Sequence, residues 1–119
     1  MPHIHLEYSD NIEHLEPKPI LLALNQAMLD GAYIKAANDV KSRAICQQDY
    51  VIGLGDASQG YLHAKVSLLT GRSVELQQEI SQVLLTTLEQ HLPQQSHIQV
   101  QICVEILEMQ KATYAKKIV

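Results

Sequence analysis

A chain of 119 residues with a formal net charge of −4 is sized for one domain and offers no basic run for nucleic acid. It has no Trp or Phe and five scattered Tyr, so Ile, Leu and Val must build the interior. Such a core is modest, and association with further copies is a natural way to bury more surface. No stretch approaches the roughly 20 apolar residues of a membrane span. No basic segment leads into an apolar one at the start, so the expectation is a cytoplasmic chain without a secretory signal. Cys46 and Cys103 read as small core residues of a reduced compartment rather than as a disulfide.

From residue 3 to 8 the sequence alternates, with His3, His5 and Glu7 on one side and Ile4, Leu6 and Tyr8 on the other. That period of two predicts a half-buried strand, which Ser9-Asp10-Asn11 then break. Pro17 and Pro19 suit the first turn of a helix whose apolar stripe is Ile20, Leu21, Leu24, Ala27 and Met28, with Gly31 as its stop. A second strand is expected over about 39–46, with Val40, Ser42, Ala44 and Cys46 on one face and Lys41, Arg43 and Ile45 on the other. Tyr50-Val51-Ile52 could form a short strand before a glycine-rich turn over 53–60. Leu62, Ala64, Val66 and Leu68 mark a third strand, Thr70-Gly71-Arg72 a turn, and Ser73 a cap for a helix that ends before Pro93. Ile98, Val100, Ile102, Val104 and Ile106 alternate strictly and give the clearest strand. The tail from Met109 is expected to pack on a neighbouring subunit.

The order strand–helix–strand occurs twice, so each half is expected to be a parallel β-α-β pair. Together they predict a single α+β, two-layer domain over 1–119: a four-stranded mixed sheet with two helices on one face. The other sheet face is left for sister subunits to cover.

Chemistry concentrates at Pro2. Once Met1 is removed, the proline nitrogen is a free secondary amine. An ordinary α-amino group titrates at about 7.7–8.0. Desolvation and nearby cations lower that value, because both disfavour the ammonium form. While Met1 is attached, the same nitrogen is a tertiary amide without basicity. Arg43 and Arg72 can each hold a carboxylate by two parallel hydrogen bonds, and Lys41 shares a strand face with Arg43. His3 and His5 share a face, but no Glu-x-x-His or cysteine pair completes a metal site. The glycines of 53–60 fail as a dinucleotide loop, because Ser58 stands where the third glycine belongs. They fail as a P-loop because Tyr61 follows Gly60 in place of lysine.

The segment Pro2-His3-Ile4-His5-Leu6-Glu7-Tyr8-Ser9-Asp10-Asn11-Ile12 resembles the start of the 5-carboxymethyl-2-hydroxymuconate isomerase family, in the tautomerase superfamily. The likeness continues through Gly31-Ala32-Tyr33, Lys41-Ser42-Arg43 and Thr70-Gly71-Arg72-Ser73. It implies a homotrimer of duplicated β-α-β units with active sites near subunit boundaries and no cofactor. Catalysis by an amino-terminal proline, here Pro2, is implied too, with Arg43 and Arg72 as binders of substrate carboxylates. Lysine at position 41 departs from the arginine of the family pattern, keeping charge but not the bidentate fork. The implied activity moves a proton and a double bond in an unsaturated hydroxy-dicarboxylate formed during degradation of aromatic compounds. A non-catalytic trimeric binder of small anions on the same fold is the alternative, and a tautomerase of phenylpyruvate-like enols a third reading.

Overall fold

The computed structural model describes residues 1–119. Strand β1 (His3–Ser9) is followed by helix α1 (Pro17–Asp30) and strand β2 (Lys41–Gln47). Strand β3 (Gln59–Leu69), helix α2 (Val74–His91) and strand β4 (Gln99–Met109) repeat the order, with single 3-10 turns at Ala37–Asp39 and Lys111–Thr113. The sheet runs β2-β1-β3-β4. Each β-α-β half is a parallel pair, and the halves join antiparallel at β1 and β3. This is the expected α+β, two-layer arrangement.

The alternation of the strands decides which face the helices cover. Ile4 and Leu6 of β1 and Leu62, Ala64, Val66 and Leu68 of β3 are buried on that face. Ile20, Leu24 and Met28 of α1 and Ile80, Leu84 and Leu88 of α2 meet them, each set spaced four residues apart. Burying each such side chain contributes roughly 1.5–3 kcal/mol. The opposite face is polar and open. Its register sets Arg43, His5, Lys65 and Glu105 in one row and Ile45, Glu7, His63 and Cys103 in the next. Two side-chain contacts stitch the rows together, His63 Nε2 to Glu105 at 2.8 Å and the Lys65–Glu7 ion pair at 3.5 Å. No helix is long and apolar enough to cross a membrane.

Ser73 caps α2 as expected, its hydroxyl accepting from the Leu76 N–H at 3.1 Å. The end of α1 differs in detail from the sequence reading. Gly31 keeps a right-handed conformation (φ −77°), and Ala32 takes the left-handed one (φ 56°). The Tyr33 N–H donates to the Met28 carbonyl and the Ala32 N–H to the Leu29 carbonyl, both at 3.0 Å. That is a Schellman closure with alanine in the place glycine usually fills. Glycine is needed one residue earlier, because a Cβ on Gly31 would lie 2.2 Å from the ring of Tyr33.

Two further expectations are corrected. Residues 50–52 form no strand. The segment turns instead through Asp56, whose carboxylate accepts from the N–H and hydroxyl of Ser58 at 2.9 and 2.6 Å. Cys46 and Cys103 are exposed rather than core, Cys46 toward the end of an edge strand and Cys103 on the open face. Within the subunit, the 3-10 turn after β4 lets the Lys111 N–H reach the Thr70 hydroxyl at 3.3 Å, and residues 115–119 stay exposed.

The α1 closure makes a specific prediction. Gly31→Ala should cost about 1–3 kcal/mol by overpacking against Tyr33. Ala32→Gly should cost nothing or stabilise, since glycine adopts positive φ freely. Urea unfolding midpoints of the two variants check this; equal midpoints would mean the Tyr33 ring yields without penalty.

Candidate active site

Pro2 stands directly before β1, and its carbonyl accepts from the Lys41 N–H at 3.1 Å, extending the β1–β2 pairing by one bond. Its ring is fully buried. Met1, Pro2, residues 32–35, Asp39 and Arg72 line a cavity of about 250 Å³. Removing Met1 would leave the proline nitrogen as a wall of this cavity, with the backbone behind it held by the sheet.

Arg72 follows Gly71 (φ 125°), in the turn between β3 and α2. Its guanidinium donates to the Tyr33 carbonyl at 3.2 Å and to the Leu69 carbonyl at 3.4 Å. Five N–H groups are available on that fork, so donors remain for an anion in the cavity. Tyr33 is itself tied to α2, its hydroxyl donating to Glu79 at 2.7 Å. The guanidinium is therefore held before any ligand arrives.

The electrostatics favour a neutral amine. The terminal ammonium, on Met1 in this chain, is held below its ordinary value of 8.0 by desolvation first and by Arg72 second. Lys116 and Lys41 add to the lowering, and the Asp39 carboxylate opposes it.

The predicted residues are only partly brought together. Pro2 and Arg72 share the cavity. The Lys41 ammonium donates to the Asp39 carbonyl at 3.3 Å and borders a neighbouring hollow of about 460 Å³ beside α1. That hollow is larger, but it offers no base beside its one cation. Chemistry rather than size selects the Pro2 cavity. Arg43 is not at the cavity. It lies on the open sheet face, where its Nη2 donates to His3 Nδ1 at 3.2 Å, and it borders a separate hollow with His5 and Lys65. His3 and His5 are held below their ordinary value of 6.5 by burial first and by Arg43 next. No cluster of three or more His, Cys, Asp or Glu side chains is placed to hold a metal ion.

Sequence reasoning missed Tyr33, Lys35 and Asp39 as walls of the site. The signal was present in the pairing of the first two strands. Parallel register sets His3 against Lys41, so the residues just before Lys41 must lie beside Pro2.

The family model for 5-carboxymethyl-2-hydroxymuconate isomerase matches residues 2–118. The chain belongs to that family. Among solved structures, a 5-carboxymethyl-2-hydroxymuconate isomerase from Deinococcus radiodurans R1 superposes with a TM-score of 0.88 at 26% identity, covering 98% of this chain and 88% of that one. A 5-carboxymethyl-2-hydroxymuconate delta-isomerase gives 0.82 at 20% identity, covering 100% and 89%. A fused 4-OT symmetric trimer gives 0.66 at 17% identity, covering 89% and 85%, and shares the fold. No curated protein matches. The chain is thus an isomerase of the 5-carboxymethyl-2-hydroxymuconate isomerase family, with the tautomerase fold.

Because Arg72 lowers the amine pKa, Arg72→Gln should raise it toward the ordinary value. Acylation of the terminal amine followed across pH would show its midpoint moving upward; an unmoved midpoint would remove Arg72 from the electrostatics of the site.

Proposed function

We propose that the protein is a cofactor-independent tautomerase that uses Pro2, freed of Met1, as its general base. Its substrate class is an unsaturated hydroxy-acid with two or more carboxylates, of the 5-carboxymethyl-2-hydroxymuconate kind, met in the breakdown of aromatic compounds. The observation that carries this reading is the single cavity shared by the buried Pro2 ring and the pre-positioned Arg72 guanidinium.

In the proposed reaction the neutral proline nitrogen removes the proton from the dienol oxygen or from an acidified carbon. The same ammonium returns the proton to another carbon, so the double bond moves while no atom is gained or lost. Arg72 holds a carboxylate and stabilises the charge that builds on the dienolate, with the Lys41 charge close by. The desolvation and the Arg72 charge that lower the Met1 ammonium would act on the Pro2 nitrogen too, favouring the unprotonated base near neutral pH, where its efficiency is greatest. Desolvation by the walls of the cavity strengthens both effects. Within one subunit Arg43 lies on the open face, away from this cavity.

A homotrimer is part of the proposal. The 4-OT structure that shares the fold is a symmetric trimer. The open, charged face of this sheet is where sister copies would pack. A non-catalytic anion-binding trimer is the second reading, favoured by lysine at position 41 in place of the arginine of the family pattern. Intact mass of natively expressed protein separates the two: loss of one methionine supports the enzyme, and full retention supports the binder.

Ketonisation of dienol dicarboxylates, followed by ultraviolet absorbance on Met-free protein, tests the base. Pro2→Ala should lower kcat by about 10²–10⁴, the usual contribution of a positioned acid–base group. Wild-type turnover in that variant would remove Pro2 from the mechanism.

A further inference from the structure

The wall of the Pro2 cavity holds a cation that the proposed reaction leaves unused. Two basic side chains line it, Arg72 and Lys35, and one acidic one, Asp39. Lys41 is not among them, because its ammonium turns to the Asp39 carbonyl and borders the neighbouring hollow.

The backbone fixes where Lys35 can reach. Tyr33, two residues earlier, is tied three ways: its N–H to the Met28 carbonyl, its own carbonyl to Arg72 and its hydroxyl to Glu79. Ile34 is buried in the core. Beyond Lys35 the chain runs extended through Ala36 into the 3-10 turn Ala37–Asp39, closed by the Asp39 N–H on the Ala36 carbonyl at 3.0 Å. The Lys35 stem therefore starts from a held backbone, while the side chain itself is exposed. No acid claims its ammonium, since the acid–base contacts of the chain are His63 with Glu105 and Lys65 with Glu7.

The two cations of the cavity differ in kind. Arg72 is a planar fork already oriented by the Tyr33 and Leu69 carbonyls. Lys35 is a compact charge on a flexible stem. With the Asp39 carboxylate set against Arg72, Lys35 is the charge that leaves the side chains of the wall net positive. One carboxylate can be held by Arg72 alone. A second carboxylate on the same ligand needs another cation.

We infer that Lys35 is a specificity-determining residue of this site, receiving the second carboxylate of a dianionic ligand whose first carboxylate is on Arg72. The inference rests on the proposed use of dicarboxylate substrates and names the residue that selects them. An exposed lysine contributes to affinity through its charge rather than through a fixed geometry. It therefore separates dicarboxylates from monocarboxylates without altering the path of the proton.

Binding of adipate and hexanoate, unreactive acids of equal carbon number, measured by calorimetry at low ionic strength on Met-free protein, tests this without relying on turnover. Because Lys35 is exposed and has no acidic partner, its replacement leaves the fold intact. Lys35→Gln should weaken adipate about two- to fivefold, the range for an exposed pair, and leave hexanoate unchanged. Lys35→Arg should keep the wild-type preference, because the charge is kept. Arg72→Gln should weaken both acids, as expected if both bind in this cavity. The inference is overturned if wild type does not prefer adipate, if Lys35→Gln leaves adipate unchanged or weakens both acids equally, if Lys35→Arg loses the preference, or if Arg72→Gln binds both acids normally. The predicted pattern in a protein that fails to ketonise dienols would instead count against the proposed reaction alone.

Discussion

Strand β1 is bonded along both edges, to β2 on one side and to β3 on the other, and the residue at its start inherits that rigidity. The β1–β2 pairing continues one residue further, through the Pro2 carbonyl and the Lys41 N–H. A terminal residue is ordinarily among the most mobile in a chain. Here it is a wall of a cavity. The general-base role proposed for Pro2 needs the base within hydrogen-bond reach of its proton, and a double-sided strand is one of the few ways a residue so near a chain terminus can meet that demand. The same topology places the other parts. Antiparallel pairing of β1 with β3 brings the end of β3, and so the Arg72 turn, alongside the start of β1. Parallel pairing with β2 delivers Asp39 and Lys41.

Charge within the site is balanced rather than simply positive. Desolvation and Arg72 push the amine toward its neutral form, and Asp39 pushes the other way. Arg72 brings the fixed positive charge of a guanidinium. Its two backbone acceptors, Tyr33 and Leu69, orient the fork without neutralising it. A carboxylate in their place would have fixed the side chain equally well but cancelled the field that both the amine and an anionic ligand respond to. The Schellman closure of α1 joins this network, because Gly31 admits the ring of Tyr33, and the Tyr33 backbone carries one of the two acceptors.

The fold was legible wherever hydrophobic period and capping chemistry agreed. The alternation around Ile4 and Leu6, the spacing of Ile80, Leu84 and Leu88, and the Ser73 cap each specified one element, and each formed where expected. Of the residues proposed from the sequence, Pro2 and Arg72 line one cavity, the first singled out by the chemistry of a terminal proline and the second by the family resemblance. Arg43 lies away from that cavity within the subunit: a strand residue's face can be read from its parity, but not which neighbour its long side chain will reach. It reaches His3, across the β1–β2 pair on the open face. Cys46 and Cys103 failed for a related reason: composition says that such residues tend to be inside, while sheet order decides that one lies on an edge strand and the other on the uncovered side. The tail was unreadable because no periodic signal marks it. Its position rests on single hydrogen bonds to Thr70 and His3, residues distant in sequence.

The central claim is that the Pro2 nitrogen becomes a free amine whose surroundings keep it unprotonated. Nitrogen-15 proline labelling followed by an NMR pH titration of natively processed protein addresses it most directly. The account predicts a secondary-amine signal at Pro2 that titrates below the ordinary range of about 7.7–8.0. An amide-like nitrogen that never titrates, or an amine that titrates at or above that range, would contradict it.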